Sequence, residues 1–225
     1  MRERFETTGV LESCRRVVDR ARHVRVVPGA VERLAARLAL DAAPLPSWHS
    51  PWHWFDPSSF ERSAVAILAL DAVNFCFWGV DEATRWRVRI GEAWLQGYWA
   101  CAACCKRAID AGKPLYDPVY LSEMTMDDVG WIFAGDELAA EPIPLLPERL
   151  AALREVGQVL RARYHGSAAG LLAAADGNAV GLALLLARHF PSFNDVAWYG
   201  GGEVRFYKRA QIYAADLDGA YTEQG

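Results

Sequence analysis

With 225 residues, of which 52% are hydrophobic, the chain is long enough to bury a sizeable core. Its net charge of −4 gives no global basic field of the kind that holds a protein on a nucleic-acid backbone by counterion release. The longest wholly apolar stretches, such as Ala64 to Leu70 and Gly181 to Ala187, fall far short of the ~20 residues that a bilayer crossing needs.

Helical periodicity dominates from the start. The N-terminus, Met1 to Glu6, is charged and has no apolar core of a secretion signal behind it, so the expectation is a cytoplasmic protein. Val10, Leu11, Cys14, Val17, Val18 and Ala21 recur at three- and four-residue steps. Val31, Leu34, Ala35 and Leu38 repeat the pattern after Pro28, a residue suited to a first helical turn. A linker with Pro44, Pro46, Pro51 and Pro57 follows and carries Trp48, His49, Trp52, His53 and Trp54. Either these aromatics cover a helical core under a loop, or they form a stacking wall for a planar heterocycle. Ser58 with Glu61 reads as a capping box before a buried helix through Val65, Leu68 and Leu70.

From about Ala83 to Gly112 the pattern Trp86, Ile90, Trp94, Trp99 and Ala103 predicts a long helix or a broken pair, stopped by Gly112 and Pro114. Thr125 and Asp128 cap a short helix through Val129 and Phe133. The segment Glu141 to Pro147, with three prolines, reads as a second linker and a subdomain division within one domain over 1–225. Helices return over Glu148 to Tyr164 and from about Asn178 to His189. Glu203 to Tyr207 alternates like a strand, part of a hairpin at most, and a last helix runs from Lys208 to Leu217. The expected fold is all-α, with long aromatic loops and at most one short β-hairpin.

Several groups carry potential chemistry. Asp71 and Asn74 stand three residues apart in an otherwise apolar run, on one helical face. A buried unpaired carboxylate is costly, so Asp71 is either a satisfied core group or, with Asn74, the reader of a polar ring edge, with Phe75, Phe77 or Trp78 stacked on the ring. Lys208 and Arg209 at a helix N-terminus suit a phosphate; the alternative is two solvated cations. His49 and His53 are four apart but outside a helix and without the His-Glu-x-x-His arrangement, so no metal is expected. Cys101-x-x-Cys104 has no second pair, and with Cys105 it reads as small packing residues of an apolar helix. Five cysteines in such an arrangement fit a reducing compartment.

The pattern Asp71-x-x-Asn74-Phe75-x-Phe77-Trp78 resembles the signature of the queuosine salvage family. Further similarities run in order along the chain: Val10-Leu11-Glu12-Ser13, Tyr98-Trp99-Ala100, Arg107-Ala108-x-Asp110-x-Gly112-x-Pro114, Phe190-Pro191-Ser192-Phe193-x-Asp195-Val196 and Phe206-Tyr207-Lys208-Arg209-Ala210-Gln211. The resemblance implies a fold like the helix-hairpin-helix DNA glycosylases. It also implies hydrolysis of queuosine 5'-monophosphate to release the base queuine, without a cofactor and without intact nucleic acid or a membrane as partner. On that footing His53, Asp71, Asn74, Phe75, Trp78, Tyr98, Lys208 and Arg209 bind substrate. The family's pattern continues beyond the part matched here with a Phe-x-Asp-Tyr-Arg segment central to catalysis, so this chain is either a fragment or lacks that piece. Its closing Asp218 to Gly225 reads as the start of a loop. N-glycosidic cleavage passes through an oxocarbenium-like centre and wants a carboxylate beside it; within these residues Asp195 is the candidate. The alternatives are a nucleotide- or queuine-binding module without turnover, and a helical protein-interaction domain.

Overall fold

In the computed structural model, residues 7–40, 47–79, 85–135 and 142–222 are described. Pro44, Pro46, Ala83 and Glu141, named above, lie outside them. Ten helices are found among the described residues: α1 (Val10–Arg20), α2 (Pro28–Leu40), α3 (Phe60–Ala72), α4 (Gly97–Asp110), α5 (Pro118–Glu123), α6 (Met126–Ile132), α7 (Leu146–Arg163), α8 (Ala168–Ala174), α9 (Ala179–His189) and α10 (Lys208–Thr222). Two antiparallel hairpins join them, β1 (Arg87–Ile90) with β2 (Ala93–Gln96) and β3 (Val196–Tyr199) with β4 (Gly202–Arg205).

The mostly helical reading holds, and α3 shows why. Every residue from Ser63 to Ala72 is buried, as expected of a helix that is apolar all round. It forms the axis against which α4, α7, α8 and α10 pack. Its start is displaced by one residue from the expected capping box: Ser59, not Ser58, accepts the Arg62 N–H, while Ser58 donates to Asp56. Glu61 turns away to accept from Ser167 Oγ and the N–H groups of Ala168 and Ala169, capping α8 instead. The box at Thr125 and Asp128 is present as read.

The helix expected from Ala83 to Gly112 is corrected by β1 and β2, so that two hairpins replace the single one foreseen. Trp86, Ile90 and Trp94 stand four apart and imitate a helical stripe. Arg85-Trp86-Arg87-Val88-Arg89-Ile90 also alternates with period two, and burying Trp86 and Val88 against the core decides for the strand. Gly91, at φ 58°, turns the chain into β2. The other hairpin pairs Val196 with Arg205 through Tyr199 with Gly202, and Ser13 of α1 is hydrogen-bonded to both the N–H and the carbonyl of Arg205.

The tail expected to loop out after Leu217 instead stays helical to Thr222. Gly219 sits in that extension because a Cβ there would approach within 3.2 Å of Trp48 Cβ. Among the described residues no single helix is long and apolar enough to cross a membrane. The tightest packing lies between α5 and α7, where a Cβ on Gly157 would stand 2.4 Å from both Pro118 O and Ser122 N. Gly157→Ala is therefore expected to destabilise the protein by about 2 kcal/mol or more, because backbone and not a flexible side chain must give way. A urea midpoint unchanged from the parent would contradict that packing.

Candidate active site

Two guanidinium groups hold the turn that follows α3, and that turn lines a cleft. Arg149, from α7, is fully buried. Its Nε donates to Pro144 O at 3.0 Å. Nη1 donates to Val73 O, and Nη2 to Phe75 O at 2.6 Å and Cys76 O at 2.8 Å. Arg209, from the first turn of α10, donates to Ala72 O at 3.1 Å and to Ser192 O. Both groups lie over the Phe75 ring, at 4.6 and 5.0 Å. The turn after α3 is thereby fixed, with Cys76 held at φ 44°, and the side chain it aims is Asn74.

The cleft has a volume of about 980 Å³ and is lined among others by Asn74, Phe75, Asp195, Phe206, Lys208 and Ile212. A second pocket of about 330 Å³, lined by Trp48, His53, Asn74, Tyr98, Trp99, Ile212 and Asp216 among others, shares Asn74 and Ile212 with it. One face of α10 serves both: Lys208, Gln211, Ile212, Ala215 and Asp216 recur at the three- and four-residue steps of a helical stripe. Lys208 is exposed at the outer end and Asp216 half-buried at the inner one.

Electrostatics concentrate at the inner end. Burial pushes the Asp216 carboxyl up to about 6, against a hydrogen bond from the Trp48 indole that favours the ionised form. Beneath it Asp71 is completely buried. Neither of its oxygens has a hydrogen-bond partner of ordinary length among the described residues. Burial first, then the neighbouring Asp216 charge, holds its proton far above the usual carboxylate range, opposed by the Asn74 amide. His53 is buried, with Nδ1 2.5 Å from Trp48 O and Nε2 2.8 Å from Tyr98 Oη. Burial also depresses its pKa, which keeps the ring neutral at pH 7.

Of the sequence candidates, the structure brings together His53, Asn74, Phe75, Tyr98 and Lys208 around the two pockets, with Asp71 behind them. Trp78 is not there. It is 71% exposed, outside both linings, and carries the Arg85 guanidinium on its ring at 4.7 Å. Asp195 lines the cleft, but both its oxygens are engaged, one by Arg209 Nη2 at 2.8 Å and the other by the Arg209 N–H at 3.2 Å. It therefore caps α10 and holds Arg209, and Arg209 in turn holds backbone carbonyls rather than presenting a free fork. The tryptophan wall also divides: Trp48 lines the inner pocket, whereas Trp54 stacks on Tyr116 at 5.3 Å. Cys101, Cys104 and Cys105 are buried in α4 as packing residues.

Asp216 and Arg149 escaped sequence reading. The first had a legible signal, since it continues the stripe begun by Lys208. Arg149, in Glu-Arg-Leu-Ala-Ala-Leu-Arg, looks like any surface cation of an amphipathic helix.

The profile of the family described as Queuosine salvage protein matches residues 55–225. The chain belongs to the queuosine salvage family. A relative from Sphaerobacter thermophilus, named Queuosine 5'-phosphate N-glycosylase/hydrolase, is 48% identical over 213 residues, covering 95% of this chain and 63% of its own. Relatives of the same name from Mus musculus and Bos taurus are 35% and 32% identical over 209 residues, covering 91% of this chain and 61% of theirs. This queuosine salvage chain thus spans a little under two thirds of the length of the curated relatives it matches.

Proposed function

We propose that the chain carries the nucleotide site of an N-glycosyl hydrolase that cleaves queuosine 5'-monophosphate and releases queuine. The observation that carries this reading is the pair of adjoining pockets along α10, cationic at Lys208 in the outer one and aromatic and acidic at Trp48, Trp99, Tyr98 and Asp216 in the inner one. A nucleoside monophosphate has the same polarity from phosphate through sugar to base. The base enters the inner pocket between aromatic rings and beside Asn74, and the phosphate meets the Lys208 ammonium at the outer end.

Hydrolysis of the N-glycosidic bond needs a carboxylate at the anomeric carbon, to support the oxocarbenium-like charge and to orient or deprotonate water. Asp216 fits that work better than Asp195, because its proton is exchangeable near neutrality and its surroundings open into the pocket. No cofactor is invoked. The substrate is a small molecule, with neither intact nucleic acid nor a membrane as partner, and the five free cysteines support work in a reducing cytoplasm.

The test is incubation of the purified chain with queuosine 5'-monophosphate and chromatographic detection of free queuine. Release establishes the reaction for this chain. Saturable binding without release would instead favour a nucleotide-binding part whose chemistry is completed elsewhere. Lys208→Ala is expected to lower kcat/KM on the 5'-monophosphate about 10- to 100-fold while changing the unphosphorylated nucleoside by less than about twofold. Equal losses on both substrates would remove Lys208 from the phosphate.

A further inference from the structure

The inner pocket holds a short hydrogen-bonded chain whose direction can be worked out atom by atom. It runs from the Trp48 carbonyl to His53 Nδ1, and from His53 Nε2 to Tyr98 Oη. A backbone carbonyl only accepts, so Nδ1 must carry a proton and donate it. A neutral imidazole has one N–H, which leaves Nε2 bare. The Tyr98 hydroxyl must then donate to Nε2, and its single proton is spent there. What the phenol oxygen has left for the pocket is lone pairs.

We propose that Tyr98 is a specificity-determining residue that acts as an obligate hydrogen-bond acceptor for a ring or exocyclic N–H of the bound base, and that His53 is the positioning residue that imposes this polarity. The inference rests on the base-pocket reading above and deepens it. The surroundings agree. His53 is buried and kept neutral. Burial and the nearby Asp216 and Asp71 carboxyls hold the Tyr98 phenol above its ordinary range, so it remains an O–H and not a phenolate. An obligate acceptor at that place matches the ring N–H or the amino group of a lactam–amidine edge. It rejects a base whose ring nitrogen there is itself an acceptor, because two lone pairs would face each other without water between them.

Two measurements on the full chain test this, neither of which uses turnover. Long-range proton–nitrogen correlation spectra at pH 7 should show His53 protonated at Nδ1 and bare at Nε2. A ring protonated at Nε2, or at both nitrogens, would overturn the proposal whatever the enzyme does. The second measurement is calorimetric binding of guanosine 5'-monophosphate, its 1-methyl derivative and inosine 5'-monophosphate to the parent protein and to Tyr98→Phe. The variant should bind guanosine 5'-monophosphate about tenfold more weakly, and the analogue lacking the donor that faces Tyr98 should suffer no additional loss. Equal weakening of all three nucleotides, or of none, would overturn it. Failure of every nucleotide to bind the parent protein would remove the base pocket and this proposal together. Intact discrimination without base release would leave the proposal standing and sink only the hydrolase.

Discussion

Replacing Asp216 with asparagine is expected to lower the rate of base release by about 10³-fold while leaving nucleotide binding within a few-fold of the parent, since an amide keeps the shape but can neither take a proton nor carry the charge. The carboxyl titrates near 6 instead of its ordinary 3.8, so kcat of the parent should rise with pH through about 6 as the reactive carboxylate forms. The residual activity of the variant should lack that limb. Stability moves the opposite way. Between the unfolded and folded pKa the unfolded chain has already lost a proton that the folded protein still holds, so stability is greatest on the acid side and declines as pH rises through about 6. Allowing for partial exposure, the decline assigned to Asp216 is about 1–2 kcal/mol, and Asp216→Asn should flatten it. A variant that keeps more than a tenth of the parent rate would take the chemistry away from Asp216.

The second large effect is on folding. Arg149→Leu preserves apolar volume but strips partners from the carbonyls of Val73, Phe75, Cys76 and Pro144, the first of them in a fully buried bond and the others in partly buried ones. Each hydrogen bond to a charged donor contributes about 1.5–3 kcal/mol, and orphaned buried acceptors cost more than the bond they lose. A loss of about 3–5 kcal/mol is expected, read as a fall in the urea midpoint. Arg149→Lys keeps the charge without the planar fork and should recover less than half of that loss. An Arg149→Leu protein as stable as the parent would show that the turn after α3 holds itself.

These residues also mark how far the sequence could be read. The stripes of α7 and α9 were legible because a single period buries each of them, and the Thr125 cap because both its members are local. Arg85 to Gln96 was misread because its tryptophans satisfy two periods at once, and only the core beneath Trp86 and Val88 chooses between them. His53, Asn74, Tyr98 and Lys208, named from a family signature and from residue chemistry, lie around the two pockets. Asp216 and Arg149 were missed, since a carboxylate's burial and a guanidinium's four carbonyl partners come from segments far apart in the chain. Asp195, a carboxylate beside an aromatic, looks reactive in one dimension, and in the structure both its oxygens accept from Arg209 of the helix that follows.

The same separation governs how the molecule comes into being. Asn74 at the end of α3 and Lys208 on α10 meet across more than a hundred intervening residues, and Ser13 is joined to Arg205 at a sequence separation of 192. Such contacts form late, after much loop-closure entropy has been overcome. Until α10 docks, the face of α3 that it covers, apolar but for Asp71, is left open. A nascent chain stalled before residue 208 leaves that surface open to aggregation, and slowing translation there should lower the soluble yield without altering a single contact of the finished fold.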